Sequence, residues 1–261
     1  MAFLQVSYQS AVLRRTVPFW VYLPSGSMED VMQGKDPFAN RQPFPTLYLL
    51  HGIFGDCTDW MMQTRVQQYA DAHRLAVVCP SGENGFYTDN KNSNFYAQYI
   101  GQELVKATRY MFNLSDKREE TYIAGLSMGG YGALRIGLNY CDTFSVIGAF
   151  SAALVMDRVL QAKNGTSGLM GMHEQDYYEN IFGDVHAITN STHDYKALST
   201  ACKNLPRVYI ACGSEDMLVA PNREYHQFLQ DHDITHTYEE WAGVHDFVFW
   251  DAAVKRFIEW L

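Results

Sequence analysis

The sequence predicts an α/β domain: a mostly parallel eight-stranded sheet with helices on both faces. Three observations carry this expectation. The runs Thr46–Leu50, Leu75–Cys79, Phe144–Phe150 and Arg207–Cys212 are nearly all apolar, as strands covered on both faces must be. Helix-compatible stretches separate them, which implies parallel β-α-β units with right-handed crossovers. The stretch Thr121–Gly130 reads as a strand running into a sharp turn, followed by a helix-compatible run from Tyr131 to Tyr140.

The elements follow in order. Residues 4–23 alternate and are rich in β-formers, forming an antiparallel pair in which Pro18 marks an edge strand. Residues 24–45, with their proline, glycine and polar side chains, read as a loop. The third strand, 46–50, ends in His51-Gly52-Ile53-Phe54-Gly55-Asp56, and a helix spans 59–73. Pro80 stops the fourth strand, and 81–94 is a polar loop punctuated by aromatic residues. The next helix places Tyr96, Tyr99, Ile100, Leu104, Ala107, Tyr110 and Met111 on one face at helical spacing. A fifth strand from Thr121 leads into a helix over 131–140, and 144–150 is the sixth strand. Periodicity fades over 152–203, which reads as a cap-like insertion after the sixth strand. The seventh strand (207–212), a helix at 222–230, the last strand (235–241) and a closing helix after Gly243 complete one domain over 1–261.

Composition excludes several classes of function. A net charge of −9 without a Lys/Arg run argues against nucleic acid and anionic surfaces as partners. No apolar run reaches the ~18 residues of a membrane span, so no membrane partner is expected. The N-terminal residues lack the basic and apolar regions of a signal peptide. Five cysteines form no C-x-x-C pair, and Cys79 and Cys212 lie within apolar runs, so a reducing, cytoplasmic setting is expected. There is no H-E-x-x-H, G-x-G-x-x-G or phosphate-binding loop, and the expectation is no metal and no cofactor.

The chemistry centres on Gly125-Leu126-Ser127-Met128-Gly129. A serine alcohol is a poor nucleophile and must stand clear of its neighbours for a base to reach it. A strand–turn–helix elbow does this, with glycines two before and two after the serine. Of nine histidines, His245 is placed best, in a loop after the last strand and before the closing helix. Asp216, directly after the seventh strand, is the expected orienting carboxylate, with Glu215 and Asp184 as competitors. The order serine, aspartate, histidine is that of the α/β-hydrolases. Oxyanion donors should be backbone amides, which need no reorganisation as charge develops. Met128 N–H is one, and Ile53 N–H, with Phe54 N–H second, is the other; His51 reads as a brace for that turn. Candidate pocket walls are Phe54, Trp60, Phe86, Tyr87 and the insertion residues Met156, Met170, Met172, Tyr177 and Tyr178. Tyr87 is a candidate hydrogen-bond partner for a substrate hydroxyl.

Taken together, Thr121–Leu134, Asn84–Asp89, Gly213–Asp216 and Gly243–Phe247 resemble the tributyrin esterases, small α/β-hydrolases of the esterase D group. These are related to S-formylglutathione hydrolases and to bacterial feruloyl and acetyl esterases. The resemblance covers nearly the whole chain and implies an α/β-hydrolase fold with Ser127, Asp216 and His245 as its triad. It also implies hydrolysis of small-molecule esters with short acyl groups, acetylated or feruloylated carbohydrate included. Two departures stand out: Ser25–Gln42 is long, and Tyr131 stands where the formylglutathione branch has histidine. The long segment and the aromatic surface suggest a homo-oligomer. The expected activity is that of a serine carboxylesterase. Its alternatives are a formylglutathione-type thioesterase, an acyltransferase, and a carbohydrate-binding module with an idle triad.

Overall fold

The structure, a computed structural model, describes residues 2–24, 31–36, 42–90, 94–163 and 174–261. Eight strands form one sheet in the order β1-β2-β4-β3-β5-β6-β7-β8. These are β1 (Ala2–Ser10), β2 (Arg15–Leu23), β3 (Thr46–Leu50), β4 (Ala76–Pro80), β5 (Thr121–Leu126), β6 (Val146–Phe150), β7 (Arg207–Gly213) and β8 (His236–Trp241). β1 and β2 are antiparallel, β2 runs antiparallel to β4, and all pairings from β4 through β8 are parallel. Every residue of β3, β4 and β6 is buried, which accounts for their apolar sequences.

Pro18 is not on an edge strand. β1 is the edge, and β2 lies between it and β4. Proline is tolerated because the β2–β4 register begins at Phe19, so Pro18 stands just beyond that ladder.

One core cluster packs the helical residues 96–111 and 128–139 against the sheet, the other the helical residues within 59–72 and the closing helix. The expected helix over 59–73 is two short ones, α1 (Asp59–Gln63) and α2 (Val66–Ala72), separated by an extended Thr64. α3 joins three pieces: Tyr96–Gln98, a π-helical Tyr99–Leu104, and Val105–Met111. A π-turn carries one more residue than an α-turn and so rotates the buried face. Val105 and Thr108 therefore face inward, while Tyr110, expected inside, is 92% exposed and Met111 is also exposed. The π segment also points Glu103 at the β1–β2 turn, where it accepts from Tyr8 Oη, Ser10 Oγ and the N–H groups of Ala11 and Val12.

α4 (Met128–Asn139) follows β5 and is buried along almost its whole length. Within 152–203, where the sequence shows little periodicity, lie α5 (Met156–Gln161), α6 (Glu174–Phe182) and α7 (Tyr195–Ala201). They are short and held by aromatic side chains, among them Tyr177, Tyr178, Phe182 and Tyr195. α8 (Val219–Asp231) and α9 (Phe247–Trp260) complete the fold. Pro221 sits in the first turn of α8, where its missing N–H removes no helical bond.

Residues 152–203 are tied to α4 through His193. Tyr131 Oη donates to its carbonyl at 3.0 Å, and Arg135 Nε donates to its Nδ1 at 3.2 Å. Burial first, and then the adjacent Arg135 charge, push the His193 pKa from 6.5 down to about 4. Between those values the unfolded chain binds the proton and the folded chain does not, so stability falls as pH drops through that window. We expect the thermal midpoint to decline from pH 7 to pH 4, and to decline less steeply in His193→Gln. Equal slopes in the two proteins would exclude this histidine as a source of acid sensitivity.

Candidate active site

The side chains that matter stand at the carboxyl ends of the parallel strands, where an open α/β sheet places its ligands. Ser127 follows β5 with φ 52° and ψ −119°, a backbone conformation that few residues other than glycine adopt. Its N–H donates to Phe150 O, and its carbonyl accepts from Gly130, Tyr131 and Ala153 N–H. The turn is therefore clamped from both sides. Gly129 is required by close approach: a Cβ there would lie 2.5 Å from Leu50 O and 2.6 Å from His51 O. The helix thus begins directly against the end of β3.

His245 reaches the serine from the loop after β8. Its Nε2 lies 3.0 Å from Ser127 Oγ. Its Nδ1 lies 3.0 and 2.9 Å from the two carboxylate oxygens of Asp216. An ionised carboxylate only accepts, so Nδ1 carries the hydrogen and Nε2 presents its lone pair to the serine hydroxyl. The loops are laced together, with Ser214 N–H donating to Trp241 O and Glu215 N–H to Gly243 O. Burial works to raise the Asp216 pKa, but hydrogen bonds from His245, Leu218 N–H and Ser151 outweigh it and hold it below the ordinary value. Glu215 is exposed and bonded to Ser214, and Asp184 caps the turn at Val185–Ala187; neither touches His245.

Among the other histidines, His226 and His236 pair with each other, and His232 bonds Phe228 O. His51 is a brace, as expected. Its Nε2 accepts from Gly82 N–H at 2.8 Å, so the hydrogen is on Nδ1, which donates to Gly52 O at 2.7 Å. Burial pushes its pKa down and keeps it neutral. A Cβ on Gly52 would meet Leu126 and come within 3.5 Å of Ser127 Cβ, so the braced turn lies beside the serine.

The two candidate second donors are distinguished by their partners. Phe54 N–H is taken by Asn84 Oδ1 at 2.9 Å. Among the described residues Ile53 N–H meets no acceptor. Met128 N–H, at the first position of α4, has no partner within the helix.

The expected pocket walls divide. Phe54 is 69% exposed, with φ 67°. Trp60 is wholly buried and donates through Nε1 to Leu50 O, so it supports the turn from beneath and is no wall. Tyr87 is likewise wholly buried, and its hydroxyl donates to His51 O at 2.9 Å, which removes it as a partner for a substrate hydroxyl. Phe86 packs on Tyr131 and Phe182. Both residues take positive φ, which turns their rings inward from a polar loop. Met156, Tyr177 and Tyr178 are buried, while Met170, Met172 and most of Ser25–Gln42 lie outside the described residues. Asn84 had a local signal in the Asn84–Asp89 stretch, but its partner could not be read from it.

Among the described residues no group of three or more His, Cys, Asp or Glu is arranged to hold a metal ion. No helix there is long and apolar enough to cross a membrane.

The chain is similar to several known proteins. The acetyl esterase of Caldicellulosiruptor saccharolyticus is 36% identical over 266 residues, spanning 100% of this chain and 98% of that protein. Among solved structures, the fluorophosphonate-binding serine hydrolase FphF of Staphylococcus aureus is similar at a TM-score of 0.85 and 28% identity, covering 99% of this chain and 97% of that one. The S-formylglutathione hydrolase FrmB of Staphylococcus aureus matches at a TM-score of 0.82 and 28% identity, covering 99% and 98%. The Esterase family model matches residues 10–260. The chain has the α/β-hydrolase fold and belongs to the Esterase family, as an ester hydrolase.

Proposed function

We propose that the chain is a serine carboxylesterase acting on short acyl esters through an acyl-enzyme on Ser127. The observation that carries this reading is the unbroken hydrogen-bonded line from Asp216 through His245 to Ser127 Oγ. Ser127 Oγ attacks the acyl carbon while its proton passes to His245 Nε2. Asp216 fixes the tautomer and stabilises the imidazolium. The N–H groups of Ile53 and Met128 receive the developing oxyanion. The alcohol leaves with the proton from Nε2; water then gives a proton to the same nitrogen as its oxygen attacks the acyl carbon, and the acid is released as that proton returns to Ser127 Oγ.

The acyl group in this reading is acetyl or butyryl, supported by the relative named as an acetyl esterase. Exposed apolar side chains next to the site residues, Phe54, Met217 and Val244, suit an apolar ester portion. Tyr131, whose hydroxyl is committed to His193 O, supports oxygen esters over the glutathione thioester. Residues 152–203 serve as a cap, a role supported by their bonds to Thr88 and Tyr131. The five free cysteines support a cytoplasmic setting. The charge-free edge strand β1 supports a homo-oligomer.

Turnover of p-nitrophenyl acetate and butyrate, a feruloyl ester and an acetylated xylooligosaccharide tests the reading, alongside mass analysis after a fluorophosphonate probe. Hydrolysis of the two p-nitrophenyl esters with one adduct on Ser127 is expected. A protein that neither takes the probe nor turns over any ester would leave only the idle-triad alternative. An ester product formed with an added alcohol would point to acyl transfer.

A further inference from the structure

Two buried serines, Ser127 and Ser151, adopt positive φ (52° and 45°) just past the carboxyl ends of the adjacent strands β5 and β6. The proposed reaction uses the first and leaves the second without a role. A buried residue other than glycine keeps such a conformation only where its surroundings fix it. Ser151 N–H donates to Ala211 O at 2.7 Å, and Ser151 Oγ lies 3.1 Å from Trp250 Nε1. An indole N–H can only donate. The serine oxygen must therefore accept in that bond, and its own hydrogen points elsewhere. Two acceptors lie within its reach, the Cys212 thiol and the Asp216 carboxylate; the ionised carboxylate, which also takes hydrogen bonds from His245 and Leu218 N–H, is the stronger. Trp250 meets the same network from its far side: its ring stands edge-on to the imidazole of His245, centroids 4.9 Å apart at 86°.

We propose that Ser151 and Trp250 are positioning residues for the Asp216–His245 pair. The indole N–H aligns the Ser151 hydroxyl, the hydroxyl donates to the carboxylate, and the indole ring holds the imidazole in its plane. This rests on the esterase reading of Ser127, His245 and Asp216. Loss of the hydroxyl leaves the carboxylate with more negative charge to share with His245. The pair then holds its proton more tightly, and the acid limb of the pH profile moves to higher pH.

The variant to make is Ser151→Gly, because glycine adopts positive φ without strain and preserves the backbone. With p-nitrophenyl acetate, kcat is expected to fall about tenfold, the scale of one hydrogen bond to a charged group. The acid limb of kcat/KM is expected to shift upward. Trp250→Phe keeps a ring against His245, removes the N–H, and should lower kcat about threefold with a shift in the same direction. It carries the test alone if the glycine variant does not fold. Unchanged kcat, or a lower kcat with an unmoved acid limb, would overturn the positioning role. Ser127→Ala run in parallel separates the two ideas: turnover that survives there sinks the esterase reading itself, whatever Ser151 does.

Discussion

Ser127→Ala is expected to lower turnover of p-nitrophenyl butyrate by on the order of 10⁶-fold while leaving the thermal midpoint almost unchanged. The two halves of this expectation have separate physical sources. Chemistry is lost because the hydroxyl is the atom that would carry the acyl group, and His245 Nε2 at 3.0 Å has no other alcohol to deprotonate. In the proposed reaction the residual rate would come from the N–H groups of Ile53 and Met128, unclaimed among the described residues, which would still polarise a bound carbonyl. Stability is kept because alanine has the same Cβ as serine and meets the same strain at φ 52°. The backbone bonds that clamp the turn, to Phe150, Gly130, Tyr131 and Ala153, involve no side-chain atom of residue 127. Turnover within about a hundredfold of the parent would place the nucleophile elsewhere.

What the sequence made legible was local. Parallel strands announce themselves as apolar runs, because a strand buried on both faces has no polar side to display. The elbow is legible because close approach at Gly129 leaves no room for any other residue. The sites at 216 and 245 follow from topology, since loops at the carboxyl ends of neighbouring strands meet.

Non-local features were not legible. The π segment of α3 breaks the helical period on which a face assignment rests, and Tyr110 goes from expected core to open surface. Whether Ile53 or Phe54 offers its N–H is decided by Asn84, thirty residues away. Phe86 and Tyr87 sit in a polar loop and look like pocket walls, yet their left-handed backbone turns both rings into the core. In the sequence Ser151 is simply the residue after the sixth strand. Its positive φ has no marker in residue type, because glycine or asparagine usually fills such a position.

The Asp216→Asn variant follows from the asymmetry of the carboxylate's partners. Leu218 N–H donates to Oδ1 at 2.8 Å, whereas His245 Nδ1 lies near both oxygens. An asparagine carbonyl that keeps the bond to Leu218 leaves its NH₂ facing His245 and the Ser151 hydroxyl. To accept from that NH₂ the imidazole must move its hydrogen from Nδ1 to Nε2. The nitrogen facing Ser127 then donates, and no base remains for the serine proton. We expect kcat at neutral pH to fall about 10⁴-fold, with fold and fluorescence retained. Acid stability responds as well. Because the Asp216 pKa is depressed in the fold, its carboxylate stabilises the protein above the ordinary carboxyl value. That contribution is lost as pH falls through the depressed one. The asparagine variant lacks this charge, so its stability should change less with pH below about 4. A kcat within about tenfold of the parent would mean that the imidazole keeps its tautomer without the carboxylate, and Asp216 would then be a structural partner of Leu218 alone.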